Sequence, residues 1–329
     1  RRRIIFRVIG NDKVGMGHIY RALSLAHEMT DHEVLFITDS DSDVAVRALA
    51  GYEYWTGVHP VEDITKQIIE LSPDLVVLDM LDTDSEFVKR LRQQEIAVVS
   101  FEDLGSGSQH TNLTINELYD EPKLQGVNYR WGRDYVFVRD EFDGAKPRIF
   151  REEVKALLLT FGGTDQHSLS EKTLLAVHDI CKKRSIHIHI VTGSGYKKYE
   201  QLADLTSGMS TVTLTHATGV ISGIMEQCDV AITSNGRTIY ELAHMNLPAI
   251  VIDQHEREAT HQFGREENGF IPVGLYKPGI TEQIVRRSFV RLIEDTKLRR
   301  KLFESIKKYS FSGARSETID KLIDLAGRG

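Results

Sequence analysis

Two α/β domains, each a parallel sheet with helices on both faces, are predicted by three features of this sequence. The chain has 329 residues, too many for one ordinary core of ~150 residues. Short apolar runs alternate with amphipathic stretches, which is βαβ rhythm. That rhythm lapses in a looser stretch and then restarts, so the architecture is doubled.

In the first half, Ile4–Ile9, Val34–Ile37, Leu75–Leu78 and Ile96–Phe101 read as strands, being apolar runs of strand length. Apolar residues at helical spacing join them over Ile19–Met29, Val61–Leu71 and Glu86–Gln94. Residues 105–148 are rich in Gly, Asn, Asp and Pro, with apolar islands only at Leu113–Ile115 and Tyr135–Val138. A boundary near Pro147 follows, giving expected domains 1–148 and 149–329. Strands return at Val154–Phe161, His187–Val191, Val212–Thr215, Val230–Thr233 and Ala249–Ile252, each followed by a helical segment. Helix-like Thr281–Phe303 and Glu317–Leu325 close the chain, and the last helices are expected to pack back on the first domain. There is no sequence repeat at a period of roughly 20–50 residues, which argues against a solenoid.

Composition narrows the function classes. A 41% hydrophobic fraction supplies real cores, and 27% charged residues with 25 Gly and 7 Pro exclude collagen-like and bulk-disordered chains. The formal charge of −7, with basic residues scattered apart from the first three positions and 297–308, argues against a general nucleic-acid surface. No apolar run approaches the ~18–20 residues of a membrane span, and the three apolar residues between Arg3 and Arg7 are too few for a signal-peptide core. A cytoplasmic location is expected. The missing initial Met and the Arg triplet feeding a strand suggest a fragment of a longer chain. Cys181 and Cys228 lack a C-x-x-C or His neighbour and read as reduced core thiols, with no zinc site.

The first strand ends in Gly10-Asn11-Asp12-Lys13-Val14-Gly15-Met16-Gly17-His18, and Ile19, Ala22, Leu23 and Ala26 follow at helical spacing. Small residues let a ligand approach the backbone there, and a helix N-terminus favours anions. An imidazole titrating near ~6.5 suits a general base. Taken alone, His18 reads first as a capping-turn residue and only second as a base. The dinucleotide pattern G-x-G-x-x-G fails, because Tyr20 stands where the third glycine belongs. Asp39, at the end of the second strand, keeps a ribose-binding dinucleotide alternative open.

Phe161-Gly162-Gly163-Thr164-Asp165 repeats the strand, glycine turn and helix order, so its amides can cradle a phosphate. Ser234-Asn235-Gly236-Arg237-Thr238 does so a third time, with Glu241 placed to bind ribose hydroxyls or to serve as a first-turn dipole partner. Weaker patterns are Asp39–Asp43, read as a solvated loop rather than a metal motif, and His187 with His189, read as one half-exposed strand face. His255-Glu256-Arg257-Glu258 with His261 lacks H-E-x-x-H spacing.

Three segments together carry a resemblance. Gly15-x-Gly17-His18-x-x-Arg21-Ala22-Leu23-x-Leu25-Ala26, Phe161–Asp165 and Glu241-Leu242-Ala243-x-x-x-x-Pro248 resemble the PseG family, nucleotide-sugar hydrolases of pseudaminic acid biosynthesis related to GT-B, MurG-like glycosyltransferases. Phe101–Asp103, Leu113–Tyr119 and Tyr135–Phe142 extend the likeness to about Leu275. It implies two Rossmann-like domains in a GT-B-like arrangement with an interdomain cleft, in which water displaces UDP from a UDP-linked diacetamido-trideoxy sugar. His18 is then the base. Gly162, Gly163 and Thr164 contact diphosphate, Gly236, Arg237 and Thr238 lie by the phosphates, Glu241 binds ribose, and Gly15, Gly17, Arg21 and Ser234 join the substrate or nucleotide contacts. The chain departs from the family pattern at Arg7-Val8-Ile9, where members carry Arg-x-Asp, and at Asp79-Met80-Leu81, where they carry Asp-His-Tyr.

The expectation is a cytoplasmic enzyme hydrolysing a UDP-linked amino-deoxy sugar for nonulosonic acid or surface polysaccharide synthesis, without metal or other cofactor. A fused or partner enzyme of the same pathway fits it. The alternatives are an inverting GT-B glycosyltransferase using a UDP-sugar, a catalytically lapsed nucleotide-sugar-binding domain, and a dinucleotide enzyme.

Overall fold

The computed structural model describes residues 1–328, which form two compact units, 1–139 with 312–328 and 140–311. In the first unit the strands are β1 (Arg3–Val8), β2 (Glu33–Asp39), β3 (Trp55–His59), β4 (Leu75–Asp79), β5 (Ala97–Phe101), β6 (Leu113–Asn116) and β7 (Tyr129–Trp131). They make one sheet in the order β3-β2-β1-β4-β5-β6-β7, parallel in every ladder. Helices α1 (Gly17–Ala26), α2 (Asp43–Leu49), α3 (Ile64–Glu70) and α4 (Ser85–Arg92) are the crossovers.

Burial on both faces explains why these strands read as unbroken apolar runs. Alternate residues of β1 enter different cores: Ile4, Phe6 and Val8 pack with α1 residues such as Ile19 and Leu23, while Ile5 packs with Ile64, Ile68, Val88 and Leu91 from α3 and α4. Asp84 stops the chain before α4 and caps it, accepting from the backbone N–H groups of Glu86 and Phe87.

The second unit holds β8 (Ala156–Thr160), α5 (Leu169–Lys183), β9 (His187–Thr192), α6 (Tyr199–Thr206), β10 (Val212–His216), α7 (Ser222–Met225), β11 (Val230–Ser234), α8 (Thr238–His244), β12 (Ala249–Asp253), α9 (Glu256–Ala259), β13 (Phe270–Leu275), α10 (Ile280–Glu294) and α11 (Thr296–Ile306). Its sheet order is β10-β9-β8-β11-β12-β13, again parallel throughout. The expected long helix 281–303 is two helices, because Asp295 leaves helical geometry and its side chain caps α11 by accepting from Leu298 N–H at 2.9 Å.

The last helix, α12 (Ala314–Ala326), belongs to the first unit. Its Ile319, Leu322 and Ala326 are buried in the β1 core, and Arg315 bonds Glu28 and the Val138 carbonyl. Residues 140–148, expected at the end of the first domain, are held by the second. Glu141 accepts from the N–H groups of Ile221 and Ser222, and the Arg148 N–H donates to the Met245 carbonyl. The Tyr135–Val138 island is no strand; its first residue, Tyr135, ends a single 3-10 turn, Arg133–Tyr135.

Candidate functional site

In an open parallel sheet ligands bind outside the carboxyl ends of the strands, where the strand order reverses. The first sheet reverses between β1 and β4 and the second between β8 and β11. The glycine turns singled out in the sequence therefore follow β1, β8 and β11, all at reversal points.

Beyond β1 the chain runs through Gly10, where an added Cβ would lie 2.5 Å from Ile19 Cδ1 and 3.1 Å from the Ala45 backbone nitrogen, so the end of the Ile19 side chain would have to move. Gly15 takes a left-handed φ of +71°, which turns the loop into α1. No side chain caps that helix and its first turn has no acid. His18, one residue into it, is buried, and its Nδ1 lies 2.6 Å from Asp79 Oδ1 at the end of β4. Burial alone would raise the Asp79 carboxyl, but the charge and hydrogen bonds of Arg21, then those of His18, hold it below the usual carboxylate range. An ionised carboxylate has no hydrogen, so Nδ1 must carry it, and in the neutral form of the ring Nε2 is then the acceptor nitrogen.

Arg21 lies one turn further along α1, with its side chain completely buried. Its Nε donates to Asp79 Oδ2 at 2.7 Å and its Nη2 to Asp79 Oδ1 at 2.5 Å, a bidentate grip. Nη1 donates to Glu102 at 2.8 Å and also to Glu117, and the Phe101 ring lies 4.8 Å from the guanidinium carbon. Glu102 turns its carboxylate inward from a left-handed φ of +51°, a conformation that costs a glutamate about 1–3 kcal/mol. The next residue, Asp103, accepts from the N–H and hydroxyl of Thr83 and pins the β4–α4 loop.

In the second unit Gly162 has a left-handed φ of +76°. Gly163 is packed against Gly193 at the end of β9, where an added Cβ would lie 2.4 Å from Gly163 Cα, and the Gly195 N–H donates to the Gly163 carbonyl. Gln254 reaches back from β12 to the Phe161 carbonyl at 3.2 Å. Ser234, the last residue of β11, and Asn235 after it are buried, and Gly236, Arg237 and Thr238 are half-buried. Asn235 Nδ2 donates to Asp253 at 2.8 Å. Glu258 closes over this turn, accepting from the Gln254 N–H at 2.7 Å. Burial, with the nearby Asp253 charge adding to it, pushes its carboxyl up to about 8.

Several sequence expectations change. Arg21, expected among the substrate or nucleotide contacts, is wholly buried and engaged with three carboxylates, which leaves it turned into its own domain. The helix after the Gly162–Thr164 turn, α5, starts at Leu169, and Asp165 fills its N-terminus by accepting from the N–H groups of Leu169 and Ser170. The anion there is the chain's own. Asp39, the ribose alternative, is paired with Arg7 at 2.6 Å. His187 and His189 do share a face, their rings 4.8 Å apart. Among the described residues no group of three His, Cys, Asp or Glu could hold a metal ion, and no helix is long and apolar enough to cross a membrane. Sequence reasoning missed Asp79, Glu102, Glu117 and Glu258. The available signal was an acid ending or following an apolar strand run, as in Leu75–Asp79.

Comparison with known proteins bears on this geometry. Residues 157–264 match the family model described as glycosyltransferase family 28 C-terminal domain. The protein MJ1062 of Methanocaldococcus jannaschii is 28% identical over 266 residues, which are 75% of this chain and 54% of that one. The spore coat polysaccharide biosynthesis protein SpsG of Bacillus subtilis is 25% identical, over 81% of this chain and 82% of its own. A Helicobacter pylori protein named pseudaminic acid cytidylyltransferase and UDP-2,4-diacetamido-2,4,6-trideoxy-beta-L-altropyranose hydrolase is 26% identical, over 43% of this chain and 25% of its own. The chain thus spans about half the length of the first of these relatives and a quarter of the third. Among solved structures, MurG of Acinetobacter baumannii superposes with a TM-score of 0.68 at 13% identity, covering 98% of this chain and all of that one. The fold is GT-B. UDP-GlcNAc 2-epimerase of Neisseria meningitidis, solved bound to UDP-GlcNAc, shares it with a TM-score of 0.64 at 14% identity, covering 98% of this chain and all of its own.

Proposed function

We propose that this GT-B chain hydrolyses a UDP-linked amino-deoxy sugar to free sugar and UDP, in nonulosonic acid or surface polysaccharide synthesis. The observation that carries the reading is His18 at the first sheet's reversal point, its Nδ1 2.6 Å from the buried Asp79 carboxylate, which leaves Nε2 to receive a proton. The family 28 match over residues 157–264 and the names of the B. subtilis and H. pylori relatives support it.

In the proposed reaction a water oxygen attacks the anomeric carbon while the bond from that carbon to the β-phosphate oxygen breaks. The electron pair leaves with UDP, and the water proton passes to His18 Nε2. Asp79 holds the ring and stabilises the imidazolium that forms. Gly162, Gly163 and Thr164 with Ser234, Gly236, Arg237 and Thr238 take the diphosphate, and Glu241 takes the ribose. Gly15 and Gly17 let the sugar side approach the backbone.

The test is UDP release from the UDP-linked 2,4-diacetamido-trideoxy sugar. His18→Asn is expected to keep UDP affinity within a few-fold and to lower turnover by ~10²–10⁴. Glu241→Ala is expected to weaken UDP by about 10- to 150-fold, the ~1.5–3 kcal/mol of a charge-assisted bond. A His18→Asn variant turning over at the parent rate would reduce His18 to a turn residue. The family 28 match also favours a second reading, an inverting transfer of the sugar to an acceptor. In that case UDP release in water alone is slow and an acceptor hydroxyl accelerates it.

A further inference from the structure

The group around Arg21 holds more carboxyl groups than a structural ion pair requires. One guanidinium faces three carboxylates, Asp79, Glu102 and Glu117, all buried. Burying each ion costs several kcal/mol unless opposite charge offsets it. One aspartate would balance Arg21, and the excess lies on the side of the guanidinium away from His18.

The charges near His18 give that excess a use. Asp79 faces it from the end of β4, and Arg21, from its own helix, places Nη2 3.4 Å from His18 Nδ1. Glu102 and Glu117, from the chain after β5 and β6, face Arg21. Asp103, next to Glu102, is taken up by Thr83 and the Gly105 N–H, and the buried pair Arg7 from β1 and Asp39 from β2 closes on itself at 2.6 Å. Arg21 alone would grip Asp79 firmly but would also oppose a positive imidazole, both directly and by drawing on the carboxylate. Two glutamates bonded to Nη1 offset that charge without loosening the grip.

We infer that Arg21, Glu102 and Glu117 are positioning residues for His18: Arg21 fixes Asp79 as the acceptor of the Nδ1 hydrogen, and the glutamates offset the guanidinium charge so that the imidazolium is stabilised. The left-handed backbone at Glu102 fits this role, since such strain persists where surrounding structure imposes it. The inference rests on His18 acting as the base, yet its first measurement needs no substrate.

Ring-nitrogen NMR of the full-length, substrate-free protein, labelled with ¹⁵N-histidine, reads the tautomer of His18 and the pH at which its ring titrates. The parent is expected to carry its neutral-state hydrogen on Nδ1. Glu117→Gln keeps the shape and removes the carboxyl group. It is expected to preserve that tautomer and to move the titration of His18, and with it the acid limb of UDP release, to lower pH by about one unit, the low end of what a neighbouring charge does. Arg21→Lys keeps the charge but loses the fork. It is expected to mix the tautomers and lower kcat by roughly tenfold or more at nearly unchanged KM. If Arg21→Lys does not fold, Glu117→Gln alone decides. A hydrogen on Nε2 in the parent, or a Glu117→Gln protein titrating as the parent does, overturns the inference. A parent with the expected tautomer and shift but no UDP release leaves the inference standing and overturns the hydrolase reading instead.

Discussion

Glu258 keeps its proton at neutral pH because burial, helped by the Asp253 charge, lifts its carboxyl to about 8 against the 4.5 of an exposed glutamate. Between those values the native state binds more protons than the unfolded chain. Its contribution to stability is therefore present below pH ~4.5 and is lost as pH rises toward ~8, by at most about 1.4 kcal/mol per pH unit. Glu258→Gln supplies a permanent neutral group of the same shape. Its Tm is expected to be flatter than the parent's across pH 5–8 and higher at the alkaline end, and thermal scans across that range check it. Parallel Tm profiles would show a carboxylate that is ionised throughout. Asp79 is the opposite case, since Arg21 and His18 outweigh the burial and keep it charged.

At the scale of an element, the turn after β8 depends on two glycines for different reasons. Gly193 is constrained by space: an added methyl would meet Gly163 Cα and carbonyl oxygen at 2.4 Å, and the backbone would have to move at a cost of about 1–3 kcal/mol. Gly162 is constrained by dihedral: no atom lies within 4 Å of an added Cβ, but its φ is +76°, a strain of roughly 1 kcal/mol for alanine. Gly193→Ala is accordingly expected to lose UDP affinity together with stability, because it displaces the Gly163 backbone. Gly162→Ala is expected to lose stability with a smaller change in UDP binding. Chemical denaturation and UDP calorimetry on both variants compare them, and a Gly193→Ala protein that binds and unfolds like the parent would refute the packing account.

For the molecule as a whole, the order along the chain differs from the order of the units. Residues 312–328 follow the second unit in sequence and belong to the first. Ile319 and Leu322 of α12 are 6% and 0% exposed within the β1 core, and burying two such side chains is worth about 3–6 kcal/mol. Deleting residues 312–329 is expected to destabilise the unit containing β1–β7 and to leave the other unit's unfolding in place. Calorimetry would then show one transition moved down and one unchanged; two unchanged transitions would mean that α12 contributes little.

The sequence by itself determined the parallel α/β class, the central strands β1, β4, β8 and β11, and the position of His18 and the glycine turns after them. Central strands are buried on both faces and so leave continuous apolar runs, and a glycine turn followed by helical spacing is a local signal. Of the four edge strands only β10 was read from the sequence; the other three carry no such signal. Trp55–His59, Tyr129–Trp131 and Phe270–Leu275 are short, part-exposed or interrupted by Gly and Pro, and were illegible until their neighbours were in place. The boundary at 139/140 was likewise decided by packing. The same holds for the chemistry around His18. Asp79, Glu102 and Glu117 lie 58, 81 and 96 residues from Arg21 along the chain, and only the parallel stacking of β1, β4, β5 and β6 brings their ends together. Local periodicity reports which face of an element is buried; which charges meet there is set by strand order, and that is a property of the folded sheet.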